Sequence, residues 1–496
     1  MAEGLQPARL LETCAAYQRS VALAQLDIPP GVRREARCAE LLEQCAAHCS
    51  AEVLTALRNL LAKAPATARD PLQRLQAWGL MMHMQAALLP LQRELQSRQR
   101  TALCTVDEEV IPLLASFAAM ANEPRRDRRA AIEVAVGQQL AALDEPFAAQ
   151  FEALQRLTTS LTYPSLEALW TDVTRTDLVA QEDFVSRLLS ATQEMYIDLL
   201  HWAVRRRLGI PPGQLRRHDV LALFTLGAYQ QYYQPDGLLS AVLAWCQDMG
   251  LDPRADGRLV LRQRAAEFGP PVALALHIPD EIVLSYSHVS GVKGAEAFAS
   301  AYGRALLWAY TSADLPLSHR LCGEAALPIS NAQFLTDMIM QPRWLHHYLR
   351  VQVEGNYWSW LRLDRLYRLR RQLGRFLYAR HLTTAGTLAG APAAYREIMM
   401  HACLVDYPAA YYLVDWDWQY TSLDFFRGWC MAYGLLESIQ QQFEADWCRN
   451  PDAGAWLRSY WHSALGEPVA GLLTHVWGDG WDASVVAAHL MSEEIW

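Results

Sequence analysis

The stretch GAEAFASAYGRALLWAYT, residues 294–311, decides how the rest of the chain is read. It contains no proline, is dominated by small and apolar residues, and is expected to be helical over 294–312. At 3.6 residues per turn, Glu296, Ser300, Arg304 and Leu307 share about the same face. Just upstream, RLVLRQRA (258–265), PVALALHIP (271–279) and EIVLSYSHV (281–289) are short, β-branched segments bounded by Gly and Pro. They are expected to form a small sheet immediately before the helix. Downstream the pattern is helical again, over 324–340, 342–353, 356–381, 391–405, 421–448, 451–464 and 482–493.

Residues 1–230 recur apolar at i, i+3, i+4 and i+7, with breaks at Pro29-Pro30, Pro65, Asp70-Pro71 and around Asn122-Glu123-Pro124. A mostly helical N-terminal lobe over 1–230 and a second lobe over 231–496 are therefore expected. The second lobe holds the sheet (258–289) and the 294–311 helix. At 496 residues and 52% hydrophobic, the chain can bury a large core. The formal net charge of −9 argues against a nucleic-acid partner. No run of about 18 apolar residues is present, and MAEGLQPARLLET lacks a basic stretch followed by an apolar one. A cytoplasmic location with no membrane partner is the expectation.

Ten cysteines are scattered rather than arranged as a disulfide framework. Cys38, Cys45 and Cys49 fall on one helical stripe, which could bind a soft metal but is expected to pack as small buried hydrophobes. The segment LRLDRLYRLRRQLGRFLYARHL (361–382) reads as amphipathic. Its arginine face is expected to be solvated or paired with the chain's surplus acids rather than to meet an acidic partner or a membrane surface. His346-His347 and the Glu397/His401 pair are too few to make a metal site, and His218-Asp219 reads as a helix start. The tryptophans of the last third, from Trp416 to Trp461, are expected in the core.

Residues 294–311 resemble the zinc-binding helix of the oligoendopeptidase-F/thimet-oligopeptidase metallopeptidases. That family carries His-Glu-x-Gly-His there; this chain has Ser300-Ala301-Tyr302-Gly303-Arg304, keeping only the glycine. The family's third ligand is a glutamate in a Gly-Asp-x-Ala-x-x-Glu pattern. The matching segment is Gly323-Glu324-Ala325-Ala326-Leu327-Pro328-Ile329, with Ile329 in the ligand's place. The likeness continues through QPRWL and into the C-terminal region, where Asp415, Asp417, Ser422, Arg427, Trp429, Trp447 and Asn450 sit as that pattern expects. It spans about residues 230–496. The resemblance implies a mainly α fold, a two-lobed helical clamshell of the thimet-oligopeptidase type with a small β-sheet beside a central cleft. It also implies that an edge strand of that sheet once paired with peptide. Thr421 stands where the family has its oxyanion-stabilising tyrosine, with Tyr420 just before it.

A peptidase zinc needs imidazole and carboxylate ligands and an open position for water. Ser300 is a poor ligand, Ile329 is none, Arg304 repels a cation, and Ala301 cannot serve as general base. No metal and no cofactor are therefore expected. The resemblance instead implies a catalytically inactive relative, a pseudopeptidase binding a peptide, a small acid or a protein partner in the inherited cleft. Arg304, Ser300, Thr421 and Arg427 are the candidate ligand-binding residues. Arg304 is expected either to anchor a carboxylate with paired hydrogen bonds or to pair with Glu324 and fill the space zinc left. Two alternatives remain. One is a repurposed metal-free enzyme using Tyr302, Glu324 or Tyr420; the other is a structural subunit beside an active enzyme.

Overall fold

The computed structural model describes residues 7–224, 227–287, 289–353, 355–444, 446–478 and 482–491. The protein is mainly helical, with twenty-two α-helices among these residues, as the apolar periodicity predicts. The predicted helices past residue 294 form as Gly291–Tyr310, Ala326–Met340, Pro342–Leu349, Tyr357–Ala385, Ala391–Cys403, Thr421–Phe443, Pro451–Ala464 and Ala483–Met491. Of the expected ranges 421–448 and 482–493, residues 445 and 492–493 lie outside the described residues.

Five strands form two sheets. β1 (Leu103–Val106) and β2 (Glu109–Pro112) make an antiparallel hairpin in the half expected to be helical. β3 (Leu259–Gln263), β4 (Val272–His277) and β5 (Glu281–Tyr286) form the predicted small sheet in the order β3-β5-β4. β3 runs parallel to β5 and β4 antiparallel to it. Residue 288, inside the expected third strand, lies outside the described residues. Alternation gives this sheet two buried faces. Leu274, Leu276 and Val283 pack with Ala22 and Leu26 of the Pro7–Asp27 helix. Ala273, Ile282 and Leu284 join the main core. That core is one continuous cluster drawing on residues from Leu54 to Leu490.

Two sequence expectations are corrected. The Ala66–Thr101 helix runs through Pro71 and Pro90 rather than breaking at Asp70-Pro71. Proline near a helix start removes one backbone bond but holds a helical φ, and ten buried residues anchor the helix beyond it. Cys49 lies past the end of the Val32–Ala46 helix, so the three thiols do not share a helical stripe. Cys45 and Cys49 instead join Cys14 and Cys322 in a small apolar cluster, with Cys14 and Cys322 sulfurs 3.7 Å apart. Of the arginines of 361–382, Arg365, Arg368, Arg371 and Arg380 pair with the chain's surplus acids, Arg365 and Arg380 while buried. The buried Arg370 instead donates to the Ala402 and Leu189 carbonyls and to Thr192 and Gln193.

Candidate functional site

The Gly291–Tyr310 and Ala326–Met340 helices, the elements on which the resemblance rests, form a seam. A Cβ on Gly303 would lie 2.2 Å from the Asn331 carbonyl oxygen, so the two backbones touch there. A Cβ on Gly428 would lie 2.6 Å from the Ala326 carbonyl and 2.8 Å from Ile329 Cγ2, which brings the Thr421–Phe443 helix equally close. These two positions need glycine because the neighbour is backbone, which cannot swing aside. Trp461 closes the same junction by donating its indole N–H to Asn331 Oδ1.

A buried charge centre stands at each end of the seam. At one end Arg365 donates to Asp337 at 2.7 Å and to Glu296 at 3.0 Å, while Arg368 reaches Glu296 at 3.2 Å and Asp364 at 2.8 Å. Burial works against the ionised Glu296, yet Arg368, Arg365 and Lys293 hold its carboxyl well below the usual range. Asp337 goes the other way: burial pushes it up, and Arg365 and Gln333 only partly offset that. At the far end Glu324 accepts from Arg427 at 3.1 Å and from the Val469 backbone N–H at 3.1 Å, with Arg175 Nη1 at 3.9 Å. Arg175 also pairs with Asp70, which takes further bonds from Arg74 at 2.7 Å and His319 at 2.9 Å. Burial opposes the ionised Asp70, but Arg74 and Arg175 hold it below its ordinary value. Burial and the neighbouring Arg74 lower the His319 pKa, leaving its ring neutral at pH 7. Burial, with Glu324 and Asp417 nearby, raises Asp424 to about 7.

Between these centres lie the residues singled out from the sequence. Ser300, Arg304 and Ile329 are all half-buried. Arg304 does not pair with Glu324, which Arg427 and Arg175 occupy instead. Its Nε is buried with no hydrogen-bond partner, and among the described residues no carboxylate lies within ion-pair distance. Burial alone lowers its pKa, with no neighbouring charge to offset it. Tyr302 points away into the core, fully buried, within 3.3 Å of the Cys246 thiol and stacked on Phe298. Tyr420 is also buried, donates to Thr383 Oγ1 at 2.9 Å, and is pushed up to about 12 by burial. Thr421 spends its hydroxyl on Asp417 Oδ1 at 2.7 Å, and Asp417 also accepts the Thr421 and Ser422 backbone N–H groups at the helix start. Arg427 is buried between Glu324 and Thr176. The seven candidates thus separate into Ser300 and Arg304 at the seam, Glu324 and Arg427 in one charge centre, and Tyr302, Tyr420 and Thr421 in structural contacts.

One turn beyond Arg304, Trp308 lines a pocket of about 360 Å³. Its other walls are Ala273–Ala275 of β4, Glu324 and Pro328 before and within the Ala326–Met340 helix, and Tyr17 and Val21 of the Pro7–Asp27 helix. β4 is an edge strand. Its bulged residue, Leu276, gives its carbonyl to Arg19 at 3.2 Å, so the Pro7–Asp27 helix covers that end. No motif points to Asp70, Arg74 or Arg175, because only tertiary packing brings Arg175 to Glu324 and ties Asp70 and Arg74 to it.

The residues that the resemblance aligns with the zinc ligands, Ser300, Arg304 and Ile329, offer a hydroxyl, a guanidinium and an alkyl group, which do not fit zinc. Among the described residues no group of three His, Cys, Asp or Glu side chains is placed to hold a metal ion. Nor is any described helix long and apolar enough to cross a membrane. No family model matches the chain, and no curated protein matches it.

Proposed function

We propose that the protein is a non-catalytic relative of the zinc oligopeptidases that binds the carboxylate end of a peptide, or a small acid, at Arg304. The observation that carries this reading is the lone guanidinium. Arg304 occupies the position of the family's second histidine, is half-buried, and has no acid beside it. A guanidinium removed from water is costly unless an anion meets it, and a carboxylate offers two acceptors in the matching geometry. The pocket at Trp308 extends the reading. It combines apolar walls with the main chain of an edge strand, which is what a short extended peptide needs.

The test is calorimetric titration with short peptides carrying a free or an amidated C-terminus, in wild type and in Arg304→Gln. The reading expects free-acid peptides to bind at least tenfold more tightly than amides, and Arg304→Gln to remove that preference. Equal affinity for both forms, or a preference that survives the substitution, rules it out.

A further inference from the structure

The charge centre around Glu324 opens on its far side into a second pocket, of about 440 Å³, between the Ala51–Lys63 and Ala66–Thr101 helices and the turn joining Leu166–Thr174 to Leu178–Ala191. Its inner wall is Arg175, held in a left-handed conformation at the end of Leu166–Thr174. Three arginines (Arg74, Arg175 and Arg427) meet two carboxylates there, Asp70 and Glu324. The shortfall is visible atom by atom. Arg175 Nε and Nη1, Arg74 Nη2 and Arg427 Nε are buried without a hydrogen-bond partner. Arg74 and Arg427 are 1% and 3% exposed, so water meets neither freely.

The opposite pole lies at the mouth. Asp172 and Asp177 are exposed on the rim, and Asp172 takes the Tyr163 hydroxyl at 2.7 Å and Gln76 Nε2 at 3.4 Å on one oxygen only. Gln76 Oε1, on the buried side, is an acceptor without a donor. Leu61 supplies an apolar wall. An acidic rim, an unpaired buried acceptor and a guanidinium floor with free donors match a molecule that is cationic at one end and anionic at the other.

We propose that this pocket binds a free α-amino acid, its carboxylate on Arg175 and its ammonium between Asp172 and Gln76 Oε1. The site is separate from Arg304 and stands or falls independently of the reading given for it. Titration of the full chain with L-leucine, N-acetyl-L-leucine and L-leucinamide tests the assignment. L-Leucine is expected to bind one to one, with each blocked form at least tenfold weaker, because each has lost one pole. Asp172→Asn keeps an acceptor for Tyr163, preserves the fold by circular dichroism, and should weaken L-leucine at least tenfold. Arg175→Met, which removes the proposed carboxylate partner from the pocket wall, should abolish L-leucine binding. Absence of binding by L-leucine, glycine and L-glutamine to folded wild type would overturn the proposal. So would equal binding of the blocked forms, or L-leucine binding that survives Arg175→Met.

Discussion

The two arginine centres at the ends of the seam are built from similar side chains and reach different balances. Around Arg365, three carboxylates (Glu296, Asp337 and Asp364) meet three cations, Arg365, Arg368 and Lys293. Around Arg175, three guanidiniums meet two carboxylates, and four guanidinium nitrogens are left without acceptors. The first centre ties the two seam helices to Tyr357–Ala385 and is a structural clamp. The second is under-compensated and borders open pockets on both sides. A buried pair holds a fold when its charges are matched. A mismatch marks where a ligand's charge would be welcome.

Arg365→Met breaks the comparison most forcibly. It strands Asp337 in the core, while Glu296 keeps Arg368 and Lys293, and should cost about 3–5 kcal/mol in denaturant unfolding, the cost typical of leaving a buried charge without its partner. Arg175→Met should stay within about 1 kcal/mol of wild type, because Asp70 keeps Arg74 and Glu324 keeps Arg427. Equal losses in the two variants would erase the distinction. Gly303→Ala forces a methyl group against the Asn331 carbonyl and should cost about 1–3 kcal/mol by calorimetry, despite alanine's better helix propensity.

A pH dependence is expected at the Glu324 end. The Asp424 carboxyl titrates at about 7 folded and near the ordinary carboxylate value of about 3.9 unfolded. Between those values the folded state binds the extra proton, so stability rises as pH falls from about 7 toward 4. Asp424→Asn should flatten that part of the profile, and an unchanged slope would remove Asp424 as its source.

Much of the architecture is legible in the chain. The sheet strands read out through β-branched alternation, and the seam helix through its unbroken small and apolar run. The hairpin of β1 and β2 is not, since four-residue strands around Asp107-Glu108 carry too little pattern against a helical background. The Val469–Trp477 helix is also missed, being short with Gly471 inside it. At the site, Arg304 and Glu324 are found from their places in one motif, but the pairing expected between them is not what forms. Glu324 is claimed by Arg427 and Arg175, and Arg175 lies in the other half of the chain. Spacing along a helix reports which residues share a face. It cannot report which distant arginine arrives first.

The central claim is that a zinc-peptidase seam now carries an arginine with no metal to hold. Metal analysis after equilibration with excess zinc and desalting addresses it directly, with wild type and Arg304→Gln run side by side. The account predicts zinc far below one equivalent per chain in both, and a melting temperature unmoved by chelator. One tightly held equivalent near Ser300 and Ile329 would contradict it.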